Sequence, residues 1–269
     1  MHLKRWLTGV ISVPILIFLI GLAPRWLFYL FVYGVSIAGL IEFYRLTASH
    51  LPHHVYWLIS ILILLLFVAL YFRQVLLVPL IMMLWAFVPM TMYMLTSRTP
   101  RQQWTTDISI ALLGPVYVGL PLAMLMMIDQ YPRGNGNMWI FFLLVVIFAS
   151  DTGAFYCGRT FGRHKLHERI SPGKTWEGAI GGLLSSLFAA LLFLHIVTLH
   201  KVDLGILILV VALSIAGQIG DLAESMLKRN HGVKDSGHIL PGHGGILDRI
   251  DGLLFAGPIL YLYLSIYNV

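Results

Sequence analysis

Nine stretches of the sequence are long and apolar enough to cross a lipid bilayer as α-helices, which need about 20 predominantly apolar residues each. They cover residues 6–23, 26–43, 55–72, 75–96, 108–128, 138–157, 178–199, 204–223 and 252–267. The runs are continuous rather than alternating, which disfavours an outer-membrane β-barrel. The sequence therefore predicts an all-α, polytopic integral membrane protein with about nine transmembrane helices.

The composition excludes most other classes of protein. Of the 269 residues, 58% are hydrophobic and 11% are charged, whereas a soluble domain carries about 25% charged residues. A soluble enzyme, a secreted domain and a disordered chain are therefore excluded. The single cysteine, Cys157, cannot form an intramolecular disulfide or a cysteine metal cluster. The first apolar run has no A-x-A cleavage site behind it, so we expect an uncleaved span and one membrane domain over residues 1–269.

The basic residues predict the orientation of the chain in the membrane. If the N-terminus is inside, only four of the 18 Lys and Arg residues fall in the outer segments: Arg25, Arg73, Arg133 and Lys201. Such a bias follows the positive-inside rule and predicts an N-in, C-out topology. We attribute the net charge of +6 to this orientation and not to nucleic-acid binding. A bacterial cytoplasmic (inner) membrane is the expected location.

The remaining charged residues are concentrated in two stretches, 151–177 and 221–251. Both face the cytoplasm in this topology, and both mix acids with bases, whereas membrane anchoring alone needs only bases. We therefore expect residues 1–137 to be mainly scaffold and residues 138–269 to be a catalytic half with a site facing the cytoplasm.

The eighth apolar run continues past the membrane surface as a helix that carries polar residues on one face. Asp221, Ser225 and Lys228 follow a spacing of four and then three residues, which places them on the same side. Asp221 lies 17 residues beyond Leu204, which is roughly 26 Å along a helix axis. This length puts Asp221 near the edge of a hydrocarbon core of about 30 Å.

A glycine-rich turn, Pro241-Gly242-His243-Gly244-Gly245, separates that helix from the last span. Its backbone N–H groups can form an anion-binding nest, and the N-terminus of the last span favours an anion. Asp248, Arg249 and Asp251 open that span. Each residue alone has a plain structural interpretation, such as an N-cap. Together, the acids, bases and glycine turn favour a metal–phosphate site, since Mg²⁺ binds carboxylates together with substrate phosphates.

The second stretch contains Asp151 within the end of the sixth apolar run and Lys174 in the following loop. An ionisable residue inside a membrane span is a functional candidate by default. A structural ion pair of Asp151 with Lys174 or Arg159 is the alternative. Gly178 and Gly182 form a G-x-x-x-G pattern, which is more typical of close helix packing than of chemistry.

These residues resemble a known family. Residues 225–251, S-x-L-K-R-x₄-K-D-x-G-x₂-L-P-x-H-G-G-I-x-D-R-I-D, resemble the signature of phosphatidate cytidylyltransferases, and SDTGAFYCGRTFG with SPGKTWEG resembles a second region of that family. The resemblance is dense over about the last 120 residues. It implies a Mg²⁺-dependent membrane enzyme that converts CTP and phosphatidic acid into CDP-diacylglycerol and pyrophosphate.

By the resemblance, Asp221 and Asp248 match metal-binding acids of the family, and Ser225, Lys228, Arg249 and Asp251 match polar members of the same site. The expected roles combine this resemblance with the interpretation of the residues themselves. The expected metal ligands are Asp221, Asp248 and Asp251. The expected catalytic residues are Lys228, Arg249, Ser225 and Lys174. The expected substrate- or phosphate-binding residues are Arg229, Lys234, His243, Gly244, Gly245 and Asp151. The number of Mg²⁺ ions stays open at one or two, and a homodimer through the glycine-rich spans is compatible with the sequence.

Two other functions are compatible with parts of the sequence. A CTP-dependent polyprenol or phytol kinase would have a similar site but would release CDP, because it transfers the γ-phosphate. A membrane transporter, from a different class, would carry charges near the bilayer midplane and paired broken helices. The gathering of charge at one face disfavours the transporter.

Overall fold

The computed structural model describes residues 13–48, 52–96, 104–131, 135–237 and 244–267. Within these ranges, eight helices are long and apolar enough to cross a membrane. They are α1 (Arg25–Thr47), α2 (His53–Tyr71), α3 (Val78–Thr96), α4 (Trp104–Asp129), α5 (Gly136–Phe161), α6 (Trp176–Val197), α7 (Leu204–Asn230) and α8 (Leu247–Tyr267). A 3₁₀ turn, Val75–Leu77, precedes α3, and a π-helical turn, Pro115–Gly119, lies within α4. The expected all-α polytopic fold is confirmed.

Eight of the nine apolar runs correspond to α1–α8. The first run, 6–23, lies largely outside the described residues, although residues 13–21 are helical. The eighth run continues as a helix to Asn230, as expected. The last helix begins at Leu247, five residues before the apolar run 252–267, so Asp248, Arg249 and Asp251 open it as expected.

Two short strands were not anticipated. Lys165–His167 (β1) and Ser171–Thr175 (β2) pair antiparallel between α5 and α6, with Lys165 opposite Thr175. The Thr175 side chain then accepts a hydrogen bond from the Gly178 amide at 3.1 Å and caps α6. The two strands are short and polar. They lack the alternation of apolar and polar residues from which a strand is predicted, so the sequence did not indicate this hairpin. It places Lys174 over the end of the helix bundle.

Helices α5 and α6 pack closely through small residues. A Cβ atom on Gly178 would lie 2.8 Å from the Ala154 carbonyl oxygen, and one on Gly182 would lie 2.7 Å from the Ser150 carbonyl oxygen. The interpretation of the G-x-x-x-G pattern as a packing motif is therefore confirmed. Since these glycines pack within one chain, they do not supply a dimer surface, and the homodimer stays a prediction.

Polar side chains gather at the two opposite ends of the helix bundle. At one end, Arg25 of α1 pairs with Asp129 of α4 at 3.0 Å, and Tyr29 donates a hydrogen bond to the same carboxylate at 2.8 Å. The opposite end contains the C-terminal parts of α1, α5 and α7 and the N-terminal parts of α6 and α8. We call it the site end, because most of the candidate residues from the sequence lie there.

Candidate active site

A buried charge cluster at the site end is centred on Lys228 of α7. Its ammonium group lies 2.6 Å from Glu224 Oε2 and 2.6 Å from Asp248 Oδ1. The side chains of Lys228, Glu224 and Asp248 are 11%, 1% and 10% exposed. Burying three charges in this way requires them to compensate one another. The cluster thereby ties the end of α7 to the first turn of α8.

The second carboxylate oxygen of Asp248 is also fully engaged. Oδ2 accepts hydrogen bonds from the Ser236 amide at 3.0 Å, the Ser236 hydroxyl at 3.0 Å and the Gly245 amide at 2.8 Å. Gly244 adopts a φ of +79°, which glycine allows without strain. The Gly245 amide, which was expected to bind an anion, donates its hydrogen bond to the Asp248 carboxylate of the same chain.

Lys174 of β2 forms a second acid–base pair with α7. Its Nζ lies 2.7 Å from Asp221 Oδ2, and Ser225 donates to the other oxygen, Asp221 Oδ1, at 3.5 Å. The side chains of Lys174 and Asp221 are 25% and 39% exposed, more than those of the Lys228 cluster, although the Lys174 ammonium nitrogen is itself buried. The structure thus brings Asp221, Ser225 and Lys174 together.

Three aspartates from three helices converge beside this pair. Asp151 of α5, Asp221 of α7 and Asp251 of α8 are close enough to interact electrostatically, and Lys174 also interacts with Asp151. Helices α7 and α8 approach closely here, because a Cβ atom on Gly220 would collide with the Asp251 carbonyl oxygen. Like charges held together in this way repel one another unless a cation compensates them.

The arrangement fits a hard divalent cation in its donor chemistry. Carboxylate oxygens are the ligands that Mg²⁺ prefers, and Glu224 Oε1 is buried with no hydrogen-bond donor among the described residues. No three acidic, His or Cys side chains within the described ranges stand at metal-binding spacing. Of the expected ligands, Asp221 and Asp251 face this cluster, whereas both oxygens of Asp248 already accept bonds from the protein. The metal assignment therefore stays a prediction.

The other expected site residues are more peripheral. Arg229 is exposed and donates to the Ile170 carbonyl at 3.4 Å and the Val233 carbonyl at 3.2 Å, so it holds the hairpin and the following turn. Lys234 and Arg249 are exposed. His243 lies outside the described residues. The roles expected for these four residues stay predictions.

Three residues at the site were not predicted from the sequence: Glu42, Glu224 and Ser236. Glu42 lies in α1, within the half expected to be scaffold, yet it is fully buried and contacts Ser236 and the start of α8. Two signals were available in the sequence. Glu42 is a lone acid within an apolar run, and Glu224 lies four residues before Lys228 on a helix.

The close approach of α7 and α8 gives a direct test of the site geometry. We expect Gly220→Ala to separate these helices near Asp251 and to lower turnover roughly 100-fold, because small misplacements of reacting groups are costly. Gly34→Ala in α1 is the matched control, since no heavy atom lies within 4 Å of the added methyl group. Turnover per folded molecule would be measured for both. Equal turnover in the two variants would show that the close approach of α7 and α8 at Gly220 does not matter for the reaction.

These features define a class: a polytopic helical membrane protein with an acid- and lysine-rich site at one end of its bundle. The chain belongs to the cytidylyltransferase family, whose profile matches residues 3–267. The resemblance noted in the sequence is thereby confirmed.

Individual relatives are similar to a large part of the chain. Phosphatidate cytidylyltransferase of Bacillus subtilis (strain 168) is 42% identical over 165 residues, 60% of this chain and 60% of the relative. The protein of that name from Staphylococcus epidermidis (strain ATCC 12228 / FDA PCI 1200) is 44% identical over 158 residues, 59% of each chain. That from Brucella suis biovar 1 (strain 1330) is 42% identical over 168 residues, 61% of this chain and 60% of the relative. The matches therefore span about 60% of these relatives.

Proposed function

We propose that this protein is a phosphatidate cytidylyltransferase, which transfers CMP from CTP to phosphatidic acid to give CDP-diacylglycerol and pyrophosphate. The observation that carries the proposal is the pairing of two lysines with two aspartates at the site end: Lys174 with Asp221 and Lys228 with Asp248. The Lys174–Asp221 pair joins the two charged stretches, 151–177 and 221–251. The names of the relatives point to the same reaction.

The chemistry needs little proton transfer. The nucleophile is a phosphate oxygen of the lipid, which is ionised near neutral pH, so the site needs no nucleophile–base pair. The oxygen attacks the α-phosphorus of CTP in line, and pyrophosphate leaves. The work of the protein is then positioning and neutralisation of phosphate charge. The Lys174 side chain is the less buried of the two lysine side chains, although its ammonium nitrogen is itself covered, and we assign it to a substrate phosphate, with Ser225 and Asp221 beside it.

Lys228 has a different role in this proposal. It is nearly buried and is held by Glu224 and Asp248, so it keeps the ends of α7 and α8 together and contributes positive potential to the site. Asp221 and Asp251 would hold Mg²⁺ together with the substrate phosphates, with Asp151 beside them and Asp248 fixing the turn. When bound, Mg²⁺ would neutralise charge on the triphosphate. The number of ions is left at one or two.

We further propose that the site end faces the cytoplasm of a bacterial cell. The bias of basic residues toward this side supports that orientation, and CTP would then arrive from the cytosol while the lipid arrives within the bilayer. The helices α1–α8 provide the membrane domain, since their outer surfaces carry exposed apolar side chains such as Leu184, Phe188 and Phe87. A homodimer is compatible with this proposal but has no assigned surface.

A product assay tests the proposed reaction. Detergent-purified protein would receive phosphatidic acid, Mg²⁺ and CTP labelled at the α-phosphate. We expect label in the lipid fraction, an equal amount of pyrophosphate and loss of both with EDTA. Release of labelled CDP in the presence of a polyprenol or phytol would instead support the kinase alternative. Absence of nucleotide turnover with each of these acceptors would contradict the proposal and favour a transport role.

A further inference from the structure

The carboxylate of Glu42 connects the scaffold half of the chain to the catalytic half. Glu42 lies near the C-terminal end of α1 and is 0% exposed. Its Oε2 accepts hydrogen bonds from the Ser236 hydroxyl at 3.1 Å and from the Leu247 amide at 2.8 Å. Ser236 follows α7, and Leu247 is the first residue of α8. One carboxylate oxygen therefore bridges two backbone segments that are 11 residues apart.

The backbone around Glu42 leaves space for this side chain and for little else. A Cβ atom on Gly237 would collide with Glu42 Oε1, and one on Gly245 would collide with Glu42 Oε2 and Ser236 Oγ. Close approach of this kind is a recurrent reason for glycine at a site. The two glycines thus form a slot, and the Glu42 carboxylate fills it.

The same segments hold Asp248. The Ser236 and Gly245 amides donate to Asp248 Oδ2, and the one Ser236 hydroxyl proton is shared between Asp248 Oδ2 and Glu42 Oε2. The Ser236 hydroxyl therefore lies between the two carboxylates, at 3.1 Å from Glu42 and 3.0 Å from Asp248. Displacement of either segment would move the donors of Asp248, and with them its pairing with Lys228.

We propose that Glu42 is a positioning residue for the cytidylyl transfer: by bridging Ser236 to the first turn of α8, it fixes the carboxylate of Asp248. Glu42 touches neither substrate, and its effect passes through Ser236 and Leu247. The inference rests on the proposed function for its activity readout. The two failures are distinguishable. Absence of activity in the wild-type protein contradicts the proposed function, whereas unchanged activity in a Glu42 variant of an active protein contradicts the positioning role.

Three variants separate positioning from a general contribution to folding. Glu42→Ala leaves the Leu247 amide without its acceptor and the Ser236 hydroxyl with Asp248 alone, and we expect kcat per folded molecule to fall roughly 100-fold, with a smaller change in the KM for CTP. Glu42→Gln keeps an acceptor oxygen in the slot and should recover most of that loss. Asp129→Ala is the matched control, because Asp129 is another buried acid that joins two helices, at the opposite end of the bundle.

The control should lose thermal stability while its kcat per folded molecule stays within about threefold of wild type. If Glu42→Ala yields no folded protein, Ser236→Ala tests the same bridge and should lower kcat about tenfold at unchanged KM. Wild-type kcat in Glu42→Ala or Ser236→Ala would overturn the proposal. Loss of activity in Glu42→Ala and Asp129→Ala only in proportion to loss of folded protein would also overturn it.

Discussion

Asp248→Asn is expected to abolish most turnover while the protein still folds and inserts. The substitution keeps the shape of the side chain but removes the charge that pairs with Lys228 at 2.6 Å. Its amide nitrogen must also replace one of two oxygens that accept hydrogen bonds, so either Lys228 or the Ser236 and Gly245 donors face another donor. Removing one preorganised electrostatic contact costs about 10²–10³ in kcat, and we expect a loss of at least about 100-fold.

Asp203→Asn provides the matched control for this experiment. Asp203 precedes α7 and accepts a hydrogen bond from the Ile206 amide at 2.8 Å, so it is an aspartate at a helix start but at the end of the bundle away from the site. An asparagine N-cap is about as good as aspartate, and the control should keep its activity. Label transfer and the amount of folded protein would be measured together. Near-normal turnover in Asp248→Asn would remove Asp248 from the active site.

The fold was largely predictable because apolar length alone specifies membrane helices. Eight of the nine runs correspond to helices, and the extension of α7 beyond the membrane followed from continuous helical spacing. The hairpin of β1 and β2 was not predictable, since its strands are three and five residues long and polar. The opening of the last span at Asp248 was expected, but the acceptor of the first amide of α8 was not, because Glu42 of α1 is distant in sequence.

The candidate site was predictable in membership but not in pairing. The sequence identified Asp221, Ser225 and Lys228 as one helix face, and the contact of Ser225 with Asp221 agrees with that spacing. It did not reveal that Lys174 would take Asp221 as its partner while Lys228 takes Asp248. These partners are 47 and 20 residues apart in the chain, so only the packing of β2, α7 and α8 determines them.

Glu42 lies in the half that was expected to be scaffold, yet it contacts the site through Ser236 and Leu247. An acid within an apolar helix has a cost unless it finds donors or a cation, and nothing close to Glu42 in sequence supplies them. The donors come from Ser236 and Leu247, about 200 residues later in the chain. An isolated acid in a membrane span needs a polar partner, and the charged residues of this chain are concentrated in its second half. This requirement alone would have suggested that Glu42 of α1 contacts the site.

The largest stability effect is expected for Lys228→Met. The substitution removes the cation between Glu224 and Asp248, whose side chains are 1% and 10% exposed. Two uncompensated carboxylates would then face each other in a buried site, and breaking a buried ion pair in this way costs about 3–5 kcal/mol. We expect a fall of roughly 10 °C in Tm, given about 2–4 °C per kcal/mol for a chain of comparable size.

A second substitution separates the structural role of Lys228 from its role in the reaction. Glu224→Gln in the Lys228→Met background removes one of the two buried charges and should restore most of the lost Tm, because the remaining Asp248 keeps its three donors from Ser236 and Gly245. Turnover should not return, since the positive potential beside the site is still missing. Lys201→Met, at an exposed lysine, should leave Tm and activity nearly unchanged. Recovery of both Tm and turnover in the double variant would mean that Lys228 only compensates buried acids, and the phosphate charge would then have to be neutralised by Lys174 and a bound cation.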